Sequence, residues 1–206
     1  MPSGKAPVSR RAALGFRVHS GWAAAVAVAG TPARPEILER RRIAIADPEI
    51  EGSLQPYHAA EEMAIGDARR YLETCASASA RLSRKAVADL ARDVRSKGCE
   101  LTGGGLLLAS GRPLPALESV LASHALIHTA DGEHFREAIL RACEHAGLDV
   151  LGMREREVPA AAAARFRTTE AEVMLQVAQA GKAVGAPWRA DEKLAALVAW
   201  LALSRR

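Results

Sequence analysis

A three-layer α/β domain, built on a mixed five-stranded sheet whose first three strands run antiparallel, is the fold class that this sequence predicts. Three observations lead there. The chain opens on period-two apolar alternation interrupted by a tight-turn dipeptide, the signature of a hairpin. Helical periodicities then alternate with short apolar strand-like runs, as in sheets with helices on their faces. The 206 residues are 49% apolar and 25% charged, which is globular composition at a length that suits one domain. The sequence is accordingly divided into a disordered basic tail over 1–11 and a single domain over 12–206.

Leu14, Phe16 and Val18 alternate with Gly15, Arg17 and His19. Ser20-Gly21 then turns the chain into the apolar stretch Trp22 to Ala29, completing the hairpin. Ile37, Leu38, Ile43 and Ile45 surround Arg40-Arg41-Arg42 in a third strand over 36–46, ended by Asp47-Pro48. A run of arginines in such a strand reads as the solvated protection of a sheet edge. From Tyr57 to Lys97 the period becomes helical. Two helices are expected, broken near Ser77 to Ser79, the second carrying Leu82, Ala86, Leu90 and Val94 and stopping at Gly98.

Leu106 to Leu108, set off by glycines, predicts a strand buried on both faces. A helix over 115–128 places Leu117, Val120, Leu121, His124 and Ile127 on one face, and another after Asp131 carries Phe135, Ile139, Leu140 and Cys143 up to Gly147. Leu148 to Val158 predicts the fifth strand, closed by Pro159. Thr169 and Glu172 have capping-box spacing ahead of Val173 and Val177. Asp191 stands ahead of Leu194, Leu197, Val198 and Leu201, where its carboxylate would cap a final helix.

Composition narrows the function classes. Three widely spaced cysteines, Cys75, Cys99 and Cys143, form no CxxC pair, which argues against a disulfide framework or a cysteine-zinc site and for a reduced, cytoplasmic protein. The longest apolar stretches fall short of a bilayer span, so no membrane partner is expected. A net charge of +4 permits nucleic acid or another phosphate-bearing ligand. Aromatics at 4% leave little for base-stacking platforms.

Several constellations are candidates for chemistry. His124 and His128 sit at i, i+4 on a helix, a spacing that brings two imidazoles to one divalent metal, with Asp131, Glu133 and His134 just beyond. The same segment also suits a core histidine with capping polar groups, since His124 falls on the apolar stripe. A helix break over 129–132 would point unpaired N–H groups at an anion. Thr102 to Gly105 offers backbone N–H groups but lacks the lysine of a phosphate loop, so turn or close-packing roles compete. Arg112 follows a buried strand, where α/β folds place ligands. Arg17 and His19 share one face of the first strand and form with Arg112 an anion-binding set.

The opening hairpin, and the tail in which Arg165-Phe166-Arg167, a helix from Thr169 to Gly181 and Trp188-x-x-Asp191-Glu192 precede an Ala/Leu-rich helix, resemble Holliday-junction resolvases of the RuvC type. The element order is similar to that of the ribonuclease H-like fold. The resemblance implies a cleft lined by the first strand and acidic residues holding two metal ions. Asp191, with Glu192, matches the acid of that family's final helix. The first-strand aspartate is replaced by Arg17, and Leu106 to Ala109 carries no counterpart of the fourth-strand glutamate; Glu100 lies too early. The resemblance therefore implies a degenerate site and a non-catalytic domain that binds a nucleic acid or protein partner. Two alternatives stand beside it: a metal-dependent hydrolase or nuclease using His124, His128 or Asp191, and a homo-oligomeric, dimeric scaffold subunit.

Overall fold

The computed structural model describes residues 10–31, 33–109 and 113–205, so most of the expected N-terminal tail and Arg112 lie outside it. The chain begins with the hairpin β1 (Arg10–His19) and β2 (Trp22–Thr31), turned at Gly21 with φ +76°. β3 (Arg34–Ala44) pairs antiparallel with β2, two residues earlier at each end than the expected 36–46. Arg10 and Arg11, read as tail, belong to β1, where they face Cys99 and Glu100 of β4 (Cys99–Leu108). β4 and β5 (Val150–Arg154) run parallel to β1, giving the order β3-β2-β1-β4-β5. The mixed five-stranded α/β sheet with three antiparallel leading strands is therefore present, with Leu14 to Val18 at its centre and the arginine run on its edge.

Helices cover both faces. α2 (Ile65–Ser96) and α4 (His124–His145) pack on the side of Leu14, Phe16 and Val18, with Val87, Leu90, Val94, Phe135 and Ile139 filling that core. α5 (Val158–Phe166), α6 (Glu170–Ala180) and α7 (Ala190–Leu203) cover the side of Ala13, Val26 and Val28. Trp200 anchors this second layer: it is fully buried, stacked 3.9 Å from Phe166, and donates from Nε1 to the Thr31 carbonyl. The short α1 (Pro56–Ala59) and α3 (Leu117–Leu121) fill the corner beside α2 and α4.

Four expectations are corrected. α2 does not break at Ser77 to Ser79, because Cys75, Ser79 and Ser83 continue its buried stripe as small residues packed against α4. α4 runs unbroken through Thr129 to Gly132, so no second helix N-terminus opens there. The fifth strand stops at Arg154, and Val158 and Pro159 begin α5 instead, proline being well suited to a first helical turn. Thr102 to Gly105 lies within β4 rather than in a ligand loop. No helix among the described residues is long and apolar enough to cross a membrane, and all three cysteines are free and buried.

Candidate functional site

The position of α7 is set by two glycines facing each other across neighbouring strands. Gly15 of β1 is in register with Gly105 of β4. A Cβ at Gly15 would lie 1.9 Å from the Ala195 carbonyl oxygen, and one at Gly105 would lie 2.5 Å from that of Val198. The helix therefore rests directly on sheet backbone, a close approach that a larger residue blocks. Asp191 lies one turn before Ala195, which brings its carboxylate over the carboxyl end of β1. Strand alternation places Arg17 and His19 on this same face.

Arg17 donates from Nε and Nη2 to both carboxylate oxygens of Glu155 at 3.0 and 2.9 Å, and from Nη1 to Oδ1 of Asp191. Nε2 of His19 lies 3.1 Å from that same Asp191 oxygen. Burial alone works against the Arg17 charge, but the hydrogen bonds and charges of Glu155 and Asp191 outweigh it and hold the guanidinium above its ordinary pKa. His19 stacks on Trp22 with ring centres 4.3 Å apart, and the exposed Arg42 guanidinium sits 3.7 Å over the Trp22 ring. Arg17 and His19 thus share one face, as expected, and Asp191 of α7 lies against both.

Asp191 is not the helix cap. That position belongs to Arg189, whose backbone N–H donates to Glu192 at 2.8 Å, leaving Asp191 to project onto β1. Glu155 escapes sequence reading: it sits in the single turn after β5, and only the end of the strand at Arg154 turns it toward Arg17. A run of Glu155, Arg156 and Glu157 carries no pattern to mark one carboxylate as inward. Glu100 is the only acid of β4 and pairs in register with Arg11, six residues or roughly 20 Å along the strand from the level of Arg17.

Beside this constellation a cleft of about 710 Å³ opens between the carboxyl ends of β4 and β5 and the start of α4. Leu108, Leu114, Ala125 and Thr129 line it, with Arg154, Glu155 and Arg156 on its rim. The segment from Ser123 to His134 borders this cleft through Ala125, Leu126 and Thr129. The edge-strand arginines divide by face: Arg41 bonds Asp93 at 2.5 Å and Glu39 at 3.3 Å, while Arg40 donates to the Ala186 carbonyl.

His124 and His128 do come together, with their Nε2 atoms 3.1 Å apart, but both are exposed rather than in the core. His124 is the first residue of α4 and stands exposed at its end, ahead of the buried stripe of Ile127, Ala130 and Phe135. His58 of α1 completes the group, its ring 5.3 Å from that of His124 and 4.4 Å from that of His128. The other members expected of a metal set are engaged elsewhere. Asp131 is buried, accepting from the Tyr57 backbone N–H at 2.7 Å and from Nδ1 of His58 at 2.5 Å. Glu133 pairs with Arg136 at 3.0 Å.

His134 lies 3.1 Å from the Ser79 hydroxyl, edge-on to Phe135. Burial pushes its pKa below the usual histidine value, only partly opposed by Asp131. The unfolded chain then takes up this proton more readily than the folded one, so His134 lowers stability as pH falls through about 6.5, an effect absent at higher pH. Urea midpoints of the protein and His134→Gln should accordingly converge or cross as pH drops from 8 toward 5.5; a difference independent of pH would refute this.

Sequence comparison finds no matching family and no matching curated protein. The fold does have solved counterparts. RuvC of Thermus thermophilus in complex with a Holliday junction substrate superposes with a TM-score of 0.54 at 14% identity, covering 92% of this chain and 90% of that one. A second Thermus thermophilus RuvC structure gives 0.51 at 15% identity, with 92% and 91% covered. The fold is thus ribonuclease H-like and of RuvC type over nearly the whole chain.

Proposed function

We propose that this chain is a single ribonuclease H-like domain that binds nucleic acid, foremost branched DNA, and does not cut it by a two-metal route. The observation that carries this is the Arg17 guanidinium clasped between Glu155 and Asp191. A two-metal centre needs convergent carboxylates with their charge uncompensated. Here a permanent cation already bridges the two carboxylates and offsets half of their charge, and a metal ion at the same oxygens would meet its repulsion at short range. The residues of this site do not fit the metal pair that the fold family implies.

The surroundings of this cluster suit contact with phosphates. Three of the five guanidinium N–H donors of Arg17 are engaged by carboxylates, so phosphate contact falls to the arginines around it. Arg42, Arg154 and Arg156 add positive charge around the cleft and the adjoining strand face. The counterpart solved with a Holliday junction makes four-way DNA the first ligand to test.

Fluorescence anisotropy with a labelled four-way junction should give saturable binding that weakens steeply with salt, and Arg154→Ala with Arg156→Ala should weaken it by about tenfold while making the salt dependence shallower. The same junction incubated with magnesium or manganese should remain intact. Turnover abolished by Asp191→Asn would overturn the non-catalytic reading, and absence of binding at low salt would overturn the nucleic-acid reading.

A further inference from the structure

The histidines at the start of α4 and the one on α1 converge in a way that the Arg17 site does not use. His58, His124 and His128 each offer a ring nitrogen, and these nitrogens all lie within 4.8 Å of one another. From this we infer a binding site for one zinc-class divalent ion, held by three imidazoles with a fourth position left for water or an anion.

The geometry suits such an ion. Zinc–nitrogen bonds of about 2.0–2.1 Å in a tetrahedron set neighbouring ligand nitrogens roughly 3.4 Å apart. The two Nε2 atoms of His124 and His128 are already 3.1 Å apart, close to one edge of that figure. Their i, i+4 spacing in the first turns of α4 brings this pair together by helix geometry alone.

The third ligand is oriented from behind. Nδ1 of His58 faces Oδ2 of Asp131 at 2.5 Å, and donation to that carboxylate puts the proton on Nδ1 and leaves Nε2 as the bare nitrogen. Asp131 is itself fixed by the Tyr57 N–H and is buried, so its charge is committed to the back of the histidine rather than to the metal. That negative charge also offsets the positive end of α4, which would otherwise disfavour a cation there. A carboxylate behind one imidazole, with further imidazoles in front, is a common arrangement at zinc.

Neutral imidazoles with no carboxylate or thiolate among them select borderline metals such as zinc, cobalt, nickel and copper over magnesium or calcium. Because His124 and His128 are exposed, the open coordination position faces solvent. Successive helical residues are about 100° apart, so the metal-facing side of α4 adjoins the side whose Ala125 and Thr129 line the cleft. The ion also clips the long β3–α2 connection, which carries His58, to α4. This site stands independently of the nucleic-acid reading.

The test uses the full chain, freed of any affinity tag and stripped of metal with a chelator. Titration with cobalt should produce the visible bands of tetrahedral Co²⁺, saturating at one ion per chain and displaced by zinc. Zinc should raise the melting temperature. His58→Ala and His128→Ala should each weaken cobalt binding by at least about 100-fold, and Asp131→Asn, which keeps the shape but not the charge, by about 10- to 100-fold. His128 is exposed, so His128→Ala should keep the metal-free melting temperature and circular dichroism of the parent, which separates loss of the site from loss of the fold. Cobalt binding that survives His128→Ala in the folded variant, or a parent protein that takes up neither ion stoichiometrically, would overturn the assignment.

Discussion

Gly105→Ala should destabilise the protein by about 3 kcal/mol or more, while Gly104→Ala, one residue earlier in the same strand, should change stability by less than about 1 kcal/mol in either direction. The difference lies entirely in what a methyl group meets. At Gly105 it would strike the Val198 carbonyl oxygen at 2.5 Å and its carbon at 2.7 Å. That carbonyl belongs to the backbone of α7, which cannot yield without lifting off the sheet. At Gly104 the nearest atoms lie at 3.7 to 3.9 Å, from Val150, Leu14 and Cys143, an ordinary van der Waals distance. Gly15→Ala should behave like Gly105→Ala, since its methyl would meet the Ala195 oxygen at 1.9 Å. Urea denaturation of the three variants decides the matter, and equal costs at positions 104 and 105 would show that α7 is not seated on these glycines. Lifting α7 also removes Asp191 from Arg17, so any variant at 15 or 105 that still folds should lose that ion pair as well as stability.

Arg17→Asp should lower stability by about 2–4 kcal/mol in metal-free buffer, and millimolar Mn²⁺ should recover a large part of that loss. Removing one partner from a fully buried ion pair typically costs about 3–5 kcal/mol. The lower figure applies here because Glu155 is 44% exposed and is partly screened by water. The substitution replaces the cation that bridges Glu155 and Asp191 with a third carboxylate, so mutual repulsion adds to the lost pairing. It also creates the convergent acids that a divalent ion requires, which is why manganese should bind at this position in the variant and not in the parent. Arg17→Met serves as the control: it should lose stability without gaining a response to metal. Thermal melts across a manganese titration would show both effects. A parent protein stabilised by Mn²⁺ as strongly as Arg17→Asp would contradict the role given to this arginine, once His128→Ala has excluded the histidine site as the source. Restored cleavage is not expected, because β4 brings no carboxylate to this end of the sheet.

The fold class was open to reading because its signals are local. The hairpin follows from alternating Leu14, Phe16 and Val18 and the left-handed turn at Gly21, and the start of α6 from Thr169, whose hydroxyl accepts from the Glu172 backbone as its spacing implies. Each depends on residues within a few positions of one another. The same locality let the sequence place Arg17 and His19 on one face and pair His124 with His128. Tertiary structure decided everything that depends on what lies opposite. α2 continues through its serines because α4 packs there, and Asp191 leaves its expected capping role because paired glycines 90 residues apart seat α7 above β1. Glu155 and His58 became visible only in three dimensions, since the residues they meet are 138 positions away in one case and 66 to 73 in the other. Periodicity reports which side of an element is apolar. The partner across the gap is set by how the layers stack, and in this protein both candidate sites are built from such partners.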